Sequence, residues 1–135
     1  MSNSMIKMKR LLFIIILFFN FIDINGQKID SIIVQKVDFD ILTAFAVDSI
    51  SFYNTFDISS EVKIVTLKDK YIIDKFEMFI NNARRRKKRV IDVRVVITLY
   101  YNNYNEYILL DRFCFSKNNI CYSVTPELKI FIDNL

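Results

Sequence analysis

Six consecutive cations, Arg84, Arg85, Arg86, Lys87, Lys88 and Arg89, form the densest cluster of chemistry-bearing side chains in the sequence. Guanidinium and ammonium groups at this spacing attract phosphate, sulfate and carboxylate groups. The run therefore reads as an anion-binding patch for an anionic glycan, a lipid headgroup or an acidic protein. Its plain alternative is a solvated helix end, because like charges repel one another and keep their water. A second candidate is aromatic: Tyr100, Tyr101, Tyr104 and Tyr107 interleave with Asn102, Asn103 and Asn105. Tyr adds contact area at low entropy cost and the Asn amide both donates and accepts, so Tyr100 and Tyr104 are candidate contact residues; the same residues also suit an ordinary hairpin tip. Asp38 and Asp40 point the same way if their segment is extended, as a pair dividing acid and base roles would, but solvent-facing carboxylates are the simpler reading. Asp92 and Arg94 share a strand face and read as a surface ion pair.

What the chain lacks excludes whole classes of chemistry. Its single glycine is Gly26, and it has no histidine and no tryptophan. Without further glycines there is no glycine-rich phosphate cradle, no nucleophile elbow and no dinucleotide fingerprint. Without histidine there is no Ser-His-Asp triad, no Cys-His pair and no histidine-based zinc site. Two cysteines are too few for a tetrathiolate metal site, so neither a metal nor a cofactor is expected. Any catalyst here would run on carboxylates, Lys, Tyr or Cys alone.

The N-terminal residues bear on the compartment. Lys7, Lys9 and Arg10 precede an unbroken apolar run from Leu11 to Phe19, and Gly26 supplies a small residue before Gln27. That is the order of parts in a secretory signal peptide, which assigns residues 1–26 to a leader and 27–135 to the mature domain. The apolar stretch Leu11 to Ile22 contains Asn20 and falls short of the roughly 17–25 residues that span a bilayer, so cleavage is expected over an uncleaved anchor or a buried helix. The expected location is then periplasmic or secreted, with membrane attachment only if the leader is retained. Export also removes nucleic acid from the candidate partners.

Residues 27–135 carry 16 Lys and Arg against 14 Asp and Glu, a net +2 that becomes −4 without the basic run. The basic character is therefore local. A chain of this length supports one hydrophobic core.

The elements that must position these residues follow from periodicity and turn chemistry. Strands are expected over Ile29 to Val37 and Val62 to Leu67, with a short helix capped by Asp48 between them. Asp69 caps a longer helix, where Ile72, Phe76, Phe79, Ile80 and Ala83 share one face. Period-two alternation from Ile91 to Tyr101 predicts a half-buried strand. Asn102 and Asn103 then turn the chain, because Asn tolerates left-handed backbone angles. Strands at Tyr107 to Phe115 and Ile120 to Val124 complete a three-stranded meander. Thr125, Pro126 and Glu127 open a final helix. The predicted fold is a small two-layer α+β domain, a mainly antiparallel sheet with helices packed on one face.

Cys114 and Cys121 fall in the last hairpin, and in an exported chain two such thiols are expected to form a disulfide. In one register Cys114 lies directly opposite Cys121. In the register that puts Asn118 and Asn119 at the turn centre, Cys114 opposes Ser123 instead. The function that fits these features is a small exported, non-enzymatic binding or accessory domain with a macromolecular partner. The alternatives are an envelope hydrolase or transferase using carboxylates, Lys or Tyr, and a membrane-anchored structural component.

Overall fold

Short runs of β-branched residues, such as Ile32-Ile33-Val34 and Val95-Val96-Ile97, supply the strands of one seven-stranded sheet. The computed structural model describes residues 26–135, so the leader expected over residues 1–26 lies, apart from Gly26, outside the described residues. In chain order, β1 spans Ser31–Lys36, α1 Phe52–Thr55, β2 Lys63–Leu67 and α2 Lys70–Asn81. They are followed by β3 at Arg85–Arg86, β4 at Val95–Tyr100, β5 at Asn105–Leu110, β6 at Cys114–Lys117, β7 at Ile120–Ser123 and α3 at Pro126–Asp133. The strand order is β2-β1-β4-β5-β6-β7-β3, with antiparallel pairing throughout. The expected α+β fold on an antiparallel sheet is therefore present.

Both longer helices begin as their sequences dictate. The Asp69 carboxylate accepts from the Ile72 amide at 3.1 Å, and the Thr125 hydroxyl accepts from the Leu128 amide at 3.2 Å, with Pro126 at the first turn. Ile73, Phe76 and Ile80 of α2 and Leu128 and Ile132 of α3 pack on one sheet face against Ile32, Val34, Val95, Ile97, Leu99, Ile108, Leu110 and Phe115. The opposite face holds a second cluster of Val37, Val47, Phe52, Phe56, Val62, Val93, Val96, Cys114 and Cys121, roofed by the segment from Val37 to Val62 that contains α1. The sheet is thus sandwiched at one end, which is why Val95 through Leu99 are buried on both faces although their alternation predicts one wetter face.

Three features depart from the sequence reading. The strand expected from Ile91 begins only at Val95, because the phase flips around Arg94: Ile91 and Val93 join the second cluster, Val95 and Ile97 the first. The strand expected from Tyr107 to Phe115 breaks at Asp111, whose carboxylate accepts from the Phe113 and Cys114 amides at 2.7 and 2.8 Å. The meander consequently has four strands, β4 to β7, and not three. Left-handed backbone angles occur at Asn118 (φ 51°) and Asn119 (φ 61°), the non-glycine residues with positive φ among those described; the Asn102-Asn103 turn, closed by Tyr101 N–H to the Tyr104 carbonyl at 3.0 Å, does not use them.

That last hairpin overturns the expected disulfide. A two-residue turn with both central residues left-handed matches the twist of its strands, and Asn118-Asn119 satisfies it. Lys117 then pairs with Ile120, Ser116 with Cys121 and Cys114 with Ser123. Cys114 and Cys121 are diagonal neighbours on the second face, both buried and both free thiols.

Candidate functional site

The basic run sits on the rim of the sheet. α2 ends at Asn81, and after a short connection Arg85 and Arg86 pair with Tyr122 and Cys121 of β7, making β3 an edge strand built of arginines. The Ser123 amide donates to the Arg84 carbonyl at 2.9 Å, extending the attachment by one residue. All six cations are exposed. Arg86 directs Nη1 to the Cys114 sulfur at 3.7 Å. Arg89 donates to Asp111 Oδ2 at 3.2 Å and stands 5.8 Å from the centre of the Phe113 ring. Among the described residues, Arg84, Arg85, Lys87 and Lys88 make no ion pair. Four neighbouring cations are therefore displayed to solvent, where water weakens their mutual repulsion.

Beside this rim is a brace that sequence patterning misses. Arg94, expected at the surface, is only 5% exposed. Its guanidinium grips both Asp92 oxygens, at 2.7 and 2.9 Å, and also donates to the Ile41 carbonyl at 3.2 Å and the Thr43 hydroxyl at 3.0 Å. Asp92 Oδ1 in turn accepts from the Val47 amide at 2.8 Å, while the Val93 amide donates to the Val47 carbonyl at 2.7 Å. These bonds fix the loop 41–47 along the chain entering β4. The loop holds Leu42 and Phe45 in solvent at 95% and 84% exposure. Leu42 shares a shallow concavity of about 190 Å³ with Arg89, Arg112 and Phe113. Val90 and Phe113 are themselves 76% and 57% exposed. The sequence signal for these four is faint, because Leu42, Phe45 and Val90 lie in aperiodic segments and Phe113 falls within a stretch that reads as strand.

The other candidates have structural tasks. Asp38 Oδ1 accepts from the Asp40 amide at 2.8 Å and closes a turn, while the Asp40 carboxylate pairs with Arg112; both border an open cavity of about 480 Å³ together with Lys36, Glu61, Lys63 and Asp133. Tyr101 and Tyr104 stack at 4.6 Å, and the Tyr101 hydroxyl donates to Glu106 at 3.2 Å. Burial, helped by the Glu106 charge, pushes the Tyr101 phenol well above its usual range. Tyr101 packs against the helix-covered core, whereas Tyr100 is one residue away along the strand and faces the other side, so Tyr100 and Tyr104 do not share a patch. On Tyr100's side, Tyr53, Tyr107, Asn105, Ser116, Asn118 and Asn119 border an open groove of about 480 Å³, with Tyr53 donating to Gln35 at 2.7 Å.

Among the described residues no group of three or more His, Cys, Asp or Glu side chains is placed to hold a metal ion, and no helix is long and apolar enough to cross a membrane. No family model, curated protein or solved structure matches the chain.

Proposed function

We propose that the chain is an exported, non-enzymatic binding domain that receives an anionic partner on the edge formed by Arg84 to Arg89. The observation that carries this reading is the arginine edge strand itself: backbone pairing to β7 fixes Arg85 and Arg86, while Arg84, Arg85, Lys87 and Lys88 stay exposed and without an ion pair among the described residues. A rigid edge presents its charges at set positions, so less ordering entropy is lost when an anion docks. Several carboxylates near this edge have structural tasks, which favours binding over catalysis there: Asp111 holds a turn, and Asp92 holds Arg94. The order of charged, apolar and small residues at the N-terminus supports export.

Replacing Arg84, Arg85, Lys87 and Lys88 with Ser is the direct test, since Arg86 and Arg89 touch Cys114 and Asp111 and are better left in place. The variant should elute from immobilised heparin at clearly lower salt than the wild type, with its melting temperature little changed. Unchanged elution overturns the reading.

A further inference from the structure

We infer that the anionic partner is the surface of a lipid bilayer carrying anionic headgroups, into whose interface Leu42, Phe45, Val90 and Phe113 insert beside the basic edge. This rests on the anion-binding reading above and adds a second observation that charge alone does not explain. Exposed apolar residues are commonplace one at a time, but Leu42, Val90 and Phe113 adjoin Arg89 at the end of the basic run. Val90 directly follows Arg89, Phe113 lies beneath the Arg89 guanidinium, and Leu42 borders the same concavity as Arg89, Arg112 and Phe113.

Phe45 follows Leu42 on a loop that the Arg94 brace pins to the chain entering β4, so the apolar tips are presented without a further ordering step. A glycan or peptide that offers only anionic groups would satisfy the cations and leave Leu42 and Phe45 in water. A bilayer interface takes both: apolar tips reach the acyl boundary while Lys and Arg remain level with the phosphates. The carboxylates nearby do not oppose this approach, because Asp40, Asp92 and Asp111 are each matched by Arg112, Arg94 and Arg89.

Cosedimentation of the chain, as its native host produces it, with vesicles of phosphatidylcholine alone or mixed with phosphatidylglycerol tests the inference. Binding should require phosphatidylglycerol. The Leu42→Ser/Phe45→Ser double variant should bind those vesicles about tenfold more weakly while eluting from heparin as the wild type does. Val90→Ser/Phe113→Ser probes the same surface from separate elements and should behave alike. Wild-type vesicle binding by both double variants overturns the insertion and leaves the anion-binding edge standing. Salt-sensitive heparin retention without vesicle binding likewise overturns it, in favour of a soluble acidic partner. Failure to bind either surface overturns this inference and the proposed function together.

Discussion

Arg94 shows how one side chain can set the shape of a surface it does not itself display. Its bonds to Asp92, the Ile41 carbonyl and the Thr43 hydroxyl tie a loop to the strand beneath it. Arg94→Ala leaves these acceptors without their donor and should cost about 2–3 kcal/mol in urea unfolding, below the range for a fully buried pair because Asp92 is partly solvated. Arg94→Lys should recover little, since an ammonium cannot reproduce the two-pronged grip. The Asp92-Arg94 pair was legible from spacing; its burial was not, because the covering loop has no periodicity to announce it. Tyr101 is a second informative residue. Its phenol titrates higher in the folded chain than the ordinary 10.0, so the folded state keeps its proton longer. The stabilisation is complete below pH 10 and is lost as the pH climbs past that value. Melting curves should accordingly fall above pH 10 in the wild type and fall less steeply in Tyr101→Phe.

At the scale of elements, turns decide what strand patterns leave open. Asn118 and Asn119 both sit in the left-handed region, and their two-residue turn sets the register that separates Cys114 from Cys121. Asn119→Ala should destabilise the domain by about 1 kcal/mol, while Asn119→Gly should be neutral or slightly stabilising, both measured by thermal unfolding. Compartment chemistry argued for a disulfide, and backbone geometry at two asparagines overruled it. The helix starts at Asp69 and Thr125 were readable because a cap is a local device, complete within four residues. The break at Asp111 was hidden because apolar residues flank Asp111 and Arg112 on both sides, and only the folded hairpin shows the Asp111 carboxylate closing back on Phe113 and Cys114. The extent of α2's buried stripe was likewise only partly legible: Phe76 and Ile80 are central as expected, but Ile73 is more buried than Ile72.

For the whole molecule, the α+β class and the antiparallel sheet followed from element order, whereas the second buried face did not. That face depends on the long connection between β1 and β2 folding back over Val96, Cys114 and Cys121, a choice made by tertiary packing. The candidate site divides the same way: the cations are plain in the sequence, but Leu42 becomes notable only once the connection is seen to hold it beside Arg89 and Arg112, with Phe45 exposed on the same loop.

The two rims of the sheet also differ in how they resist unwanted association. A second chain adding a strand at β3 would have to lie against Arg85 and Arg86, and strand addition there brings like charges together. At the opposite rim β2 offers Lys63 to Leu67, in which Ile64, Val65 and Thr66 favour extended backbone and Lys63 is the sole charge. Strand addition to the folded sheet is therefore expected to be polar, favoured at β2 and opposed at β3, and a single lysine introduced at the middle of β2 should reduce aggregation of concentrated solutions measured by light scattering.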